Sequence, residues 1–230
     1  MHSSRRSPAD SGSTSMVRAE WVDFQPQSGA VRTTALEWVR KAGLVTLSPV
    51  DGLESVVGYV VGANPPKRWW SHPKGTEIYN LFANLSAHRS IAVTKLVEGK
   101  VTLVHRRLWP ALVRLGQDPC RLSAQAKSLP TSARKLFALV QKKGAIRLDT
   151  VLPDWPGGSK QLKKDRTALE QKALVMSHDE HTSSGTHYPV LESWKSFRER
   201  RHVPVPAGLT AVDAARKLQA AAGDHKLTAS

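Results

Sequence analysis

The chain of 230 residues has one cysteine, Cys120. An intrachain disulfide is excluded, and a reducing, cytoplasmic setting is the expectation. No apolar run reaches the roughly 18 residues that cross a bilayer, so no membrane partner is expected. The opening "MHSSRRSPADSGSTS" has no apolar centre and does not read as a secretory signal. It is rich in Ser, Gly and Arg, so residues 1–16 read as a disordered tail. Catalytic signatures are scarce as well. There is no Gly-rich phosphate loop, no Ser in an elbow motif, no HExxH, and no Cys–His pair at useful spacing. Neither a small-molecule cofactor nor a metal is expected.

Acidic residues are also few. There are 19 Asp and Glu against 34 Lys and Arg, a net charge of +15. That balance favours a polyanionic partner, most simply nucleic acid; the alternative is that the charge serves solubility alone. The charge is uneven. Residues 121–203 carry 16 basic and 8 acidic side chains, and residues 17–120 carry 13 and 8.

Apolar periodicity divides the rest into two regions, 17–119 and 120–203, followed by 204–230. In the first, "TTALEWVRKAG" reads as a helix capped by Thr33 or Thr34 and ended by Gly43. "SPVDGLESVVGYVVG" reads as a second helix with Ser48 as cap and Pro49 in its first turn. "TEIYNLFANLSAH" is a third. "SIAVTKLVEGKVTLVHRRL" alternates as a β-hairpin turning at "EGK". "LWPALVRLG" closes the region as a short helix. The second region repeats that order. "PTSARKLFALVQKKG" is a helix capped by Thr131 or Ser132. "AIRLDTVLPDW" is a short strand and a weak helix. "GGSKQLKKDRTALEQKA" is a third helix, "ALVMSH" and "HYPVLES" are hairpin strands, and "WKSFRERRH" is a closing helix. Residues 204–230 read as a Pro linker, a short Ala-rich helix and a frayed end. The expected fold is mainly α with short β-hairpins, in tandem winged-helix-like domains.

In a winged helix the third helix enters the major groove. Here it offers Lys160, Lys163 and Lys164 for phosphates, and Gln161 and Arg166 for adenine and guanine edges. Its other reading is an ordinary solvated face. The adjoining hairpin argues against a standard grip, because it carries Asp179 and Glu180. His178, His181 and His187 lie beside them, but their spacing fits no familiar zinc site, and polar turn residues are the simpler account. Elsewhere, "NPPKRWWSHPKG" interleaves Lys67 and Arg68 with Trp69 and Trp70, a composition suited to stacking on bases or to plugging a core. Arg106 and Arg107 add a further candidate phosphate contact.

The segments "AGLVTLSPVDGLESVVGYVVG" and "VTKLVEGKVTLVHRRLWPAL" resemble bacterial proteins related to AlkZ, also called YcaQ. That resemblance spans roughly residues 30–200. It implies tandem winged helices and a link to glycosylases that remove alkylated or crosslinked bases from DNA. The family's water-activating Gln-x-Gln or Gln-x-Asp pair falls on Thr46 and Ser48. A neutral hydroxyl is a poor general base without a partner, so the catalytic motif is not kept. Non-catalytic binding of duplex DNA is the leading expectation. A diverged glycosylase and a protein-interaction module are the alternatives.

Overall fold

A computed structural model describes residues 29–62, 64–66, 68–181 and 187–228. The expected disordered tail, residues 1–16, lies outside them. The first half runs α1 (Gly29–Ala42), β1 (Leu44–Thr46), α2 (Val56–Val61), α3 (Gly75–Ala87), β2 (Ile91–Val97), β3 (Lys100–His105) and α4 (Trp109–Gly116). The second runs α5 (Pro119–Lys127), α6 (Thr131–Lys143), β4 (Ala145–Arg147), α7 (Leu148–Val151), α8 (Gly158–Gln171), β5 (Met176–His181), β6 (His187–Glu192) and α9 (Trp194–Arg200). Helix α10 (Ala211–Ala222) follows. The protein is mainly helical, with short hairpins.

Each half holds one three-stranded antiparallel sheet among the described residues, in the orders β1-β3-β2 and β4-β6-β5. The short strand pairs with the returning arm of the hairpin, Leu44 against Val104 and Ile146 against Leu191. Glu98 and Gly99, both at positive φ, make the first hairpin's turn. Val39, Val45, Val57, Ile78 and Leu103 fill the first core. Leu136, Val140, Leu162, Leu169 and Leu191 fill the second. These are apolar positions at helical or alternating spacing, and each element buries one face.

Several expectations are corrected. Helix α1 begins at Gly29, ahead of the threonines expected to cap it. Residues 48–55 are not helical. The Glu54 carbonyl accepts from the Thr46 amide at 3.0 Å, and Gly52 sits at φ +77°. Pairing with β1 and a left-handed glycine displace the helix start to Val56, where the Ser55 hydroxyl accepts from the Gly58 amide. Strand β1 is too short to show periodicity. Helix α5, capped by the Asp118 carboxylate, escapes the sequence pattern because its apolar face is sparse. Pro130, not Thr131 or Ser132, occupies the N-cap of α6.

Among the described residues, the C-terminal segment is packed rather than frayed. Ala214, Leu218 and Ala222 are buried against α4. Leu227 is buried, and Thr228 donates its amide to the Leu96 carbonyl at 2.8 Å. This closes the outer side of β2 with chain from the far end.

A third core joins the halves. The Trp194 ring meets Phe197 edge-on at 5.9 Å, and Phe197 meets Trp109 at 5.5 Å. Trp194 Nε1 donates to the Ala173 carbonyl at 2.9 Å. Gly116, at the end of α4, lies directly under the Trp194 indole, where a Cβ would overlap the ring. Gly116→Ala is expected to destabilise the protein by about 1–3 kcal/mol through overpacking. Urea denaturation tests this, and an unchanged midpoint would show that the indole has room to move.

Candidate nucleic-acid interface

Helix α8 starts from two glycines at positive φ, Gly157 at +81° and Gly158 at +62°. Such angles suit a chain that must turn sharply into a helix. Leu162 and Leu169 bury one face, and Asp165 is buried between them with 1% exposure. A buried carboxylate needs donors. Ser132 Oγ on α6 donates to Oδ1 at 2.8 Å, Gln161 Nε2 donates to it at 2.9 Å, and Trp155 Nε1 donates to Oδ2 at 2.9 Å. The network fixes α8 against α6 and the preceding loop.

Farther along α8, Glu170 is 5% exposed and bridges the two halves. Its Oε2 accepts from Lys95 Nζ on β2 at 2.6 Å, and its Oε1 accepts from Arg166 Nε at 2.6 Å. Burial pushes the Glu170 carboxyl up, but Arg166 and Lys95 outweigh it and hold it below the usual carboxylate range. Beyond it, Arg121 donates to the Lys172 and Ala173 carbonyls, placing a cation at the helix C-terminus. A cleft of about 260 Å³ lies beside this bridge, lined by Phe82 of α3, Thr94 and Lys95 of β2, and Lys163, Arg166 and Thr167 of α8.

The residues expected to contact DNA therefore separate. Lys160, Lys163 and Lys164 are exposed on the first two turns of α8 and form one cationic surface. Gln161 and Arg166 are engaged within the protein, Gln161 by Asp165 and Arg166 by Glu170. Base reading by these two would require breaking those bonds. Arg106 and Arg107 are both exposed, and Arg107 donates Nη2 to the Lys41 carbonyl at 2.9 Å at the end of α1. Arg68 is exposed in the loop before α3, and Lys67 lies outside the described residues. The corresponding helix of the first half, α3, has no Lys or Arg at all.

Thr46 is fully buried, and its hydroxyl makes a long 3.4 Å contact to the Glu54 carbonyl. Ser48 is half-buried just beyond it. Thr46 thus leans on a carbonyl oxygen, which cannot relay a proton away as a carboxylate would, and it is not equipped to take one from water. In the second hairpin, burial pushes His178 down, with Arg200 adding to the effect. Its ring is therefore neutral near pH 7. Its Nδ1 is buried without a hydrogen-bond partner, 3.8 Å from a Glu192 carboxylate held by Arg200. The side chains of His181 and His187 lie outside the described residues, and no group of three metal-ligating side chains occurs within them.

Sequence reasoning missed the Asp165 network and the Lys95–Glu170 bridge. The bridge joins residues 75 positions apart, and no local signal marks it. Comparison with family models, curated proteins and solved structures returned no match.

Removing the Glu170 charge leaves Lys95 and Arg166 facing each other. Both keep about a quarter of their side-chain exposure, so Glu170→Gln is expected to cost about 1–3 kcal/mol, less than a fully buried pair. A carboxylate with a lowered folded pKa stabilises the fold above its unfolded value, near 4.3, and loses that contribution as pH falls toward the folded value. Wild type should therefore lose more stability than Glu170→Gln in that acid window. Parallel pH titrations of denaturation would refute this if the two curves fell equally.

Proposed function

We propose that the chain is a non-catalytic duplex-DNA-binding protein built from two winged-helix domains, in which the first two turns of α8 provide the main contact. Starting from α1 in the first half and from α6 in the second, the order is helix, strand, helix, helix, hairpin, with the short strand against the returning arm. That order supports the winged-helix reading. The resemblance to AlkZ-related proteins agrees with tandem winged helices and suggests a link to DNA repair.

One observation carries the reading. Lys160, Lys163 and Lys164 are exposed on a helix where Gln161 and Arg166 are tied down by Asp165 and Glu170. The protein thus presents phosphate-neutralising charge from a fixed support and withholds its base-reading groups. Such a surface binds by counterion release, with little sequence preference. Arg106 and Arg68 add exposed charge from the first half. The acidic hairpin residues Asp179 and Glu180 would repel the flanking backbone, which directs DNA toward the start of α8 rather than across the hairpin. The buried Thr46 hydroxyl supports binding rather than glycosidic chemistry.

Changing Lys160, Lys163 and Lys164 together to Glu is expected to abolish binding to intact duplex. Where residual binding is measurable, the slope of log affinity against log salt should fall by about 0.9 for each phosphate no longer neutralised. These side chains are exposed, so thermal denaturation should show a folded protein. Unchanged affinity in the folded variant would remove α8 as the contact.

A further inference from the structure

The loop between α2 and α3 has a feature that duplex binding does not explain. Trp70 is 66% exposed, the most exposed of the large aromatic side chains among the described residues. Its neighbour Trp69 turns inward and packs on the first core. The two rings meet edge-on, with centroids 6.2 Å apart and planes at 74°. One indole thus anchors the loop and the other is presented to solvent.

The backbone that carries the ring is hydrogen-bonded throughout the turn. Residues Trp69–Ser71 form a single 3-10 turn, and the His72 amide donates to the Trp69 carbonyl at 3.0 Å. Ser71 Oγ donates to the Arg68 carbonyl at 3.2 Å, and the Lys74 amide donates to His72 Nδ1 at 3.2 Å. Gly75 lies beneath, where a Cβ would come within 3.2 Å of the Trp69 and Trp70 carbonyl oxygens. Lys74 Nζ donates to the Val60 carbonyl at 3.0 Å and ties the loop to α2. A large apolar ring held out on such a support calls for a partner with an apolar face. Its surroundings say what else that partner carries. Arg68 is exposed two positions before it, and no acidic residue lies between Asn64 and Gly75.

We propose that Trp70 is a stacking platform for an unpaired base of a nucleic acid, with Arg68 on a phosphate flanking it. An indole stacks on any base face, so the site takes single-stranded or locally opened DNA without sequence preference. This rests on the nucleic-acid reading of the chain and adds a second, separate contact. It gives the protein a contact for unpaired positions in addition to its contact with uniform duplex.

The test uses the full chain, fluorescence anisotropy and two labelled probes: oligothymidine, and a dumbbell duplex with both ends closed by loops of a non-nucleotide linker. Trp70→Ala should weaken oligothymidine binding about tenfold or more and leave the dumbbell unchanged, and Trp70→Phe should restore most of the loss. Arg68→Ala, a second variant that leaves the indole in place, should weaken oligothymidine binding and reduce its salt dependence. Wild-type oligothymidine affinity in Trp70→Ala overturns the proposal, as does equal loss on both probes. Binding of oligothymidine through Trp70 with no binding of the dumbbell would support this site and overturn the duplex reading. Capture of a protein through Trp70 by a chain that ignores both probes would overturn both.

Discussion

The arrangement depends on one aromatic seam. Trp194 lies over Gly116, edge-on to Phe197, and donates its indole proton to the carbonyl of Ala173. Those contacts bring together the end of α4, the start of α9 and the turn after α8. Ala173 itself sits at φ +46°, an angle that costs a non-glycine residue about 1–2 kcal/mol. The Trp194 and Arg121 donors to its carbonyl offset that cost. With the turn held, the end of α8 is pinned and its first two turns are set in direction. A looser joint would let the lysine face wander, and long-range charge alone would then orient it poorly.

Buried acids decide which cations remain available. Asp165 occupies Gln161, and Glu170 occupies Arg166 and Lys95. Both carboxylates are nearly inaccessible, so Gln161 and Arg166 are held against the body of the protein on a helix with more basic than acidic residues. What stays outside is the compact ammonium charge of three lysines. Under the proposed DNA reading, that division favours backbone contact over base reading, because lysine is a flexible point charge and the planar, bidentate side chain of Arg166 is held by Glu170. The first half contributes differently. Its α3 bears no cation, and its most exposed aromatic ring is Trp70 in the loop before α3.

Much of the architecture is legible from local pattern. The hairpin at 91–105 and helices α3, α6 and α8 follow alternating or helical spacing with clear turn residues. Strand β1 is not legible, since three apolar residues have no period. The start of α2 is misread because Ser48 and Pro49 are good helix openers by local rule, yet pairing of residue 54 with Thr46 outweighs them. The docking of Leu227 and Thr228 on β2 is invisible for a different reason. It joins residues about 130 apart, and only the assembled sheet offers them a place. For the site, the three lysines are exposed as their helical positions predict. The sequence pattern puts Asp165 or Arg166 in line with Leu162 and Leu169, but the bonds that hold Gln161 and Arg166 depend on Ser132, Trp155 and Lys95, which lie outside the helix.

The most direct measurement is the affinity of the unmodified protein for closed-end duplex DNA across a salt series. Binding at low salt should weaken linearly in log affinity against log salt, with a slope of about −3 or steeper for three or more neutralised phosphates. Absence of binding at low salt, or an affinity indifferent to salt, would contradict the duplex reading and make the lysine face of α8 an ordinary solvated surface.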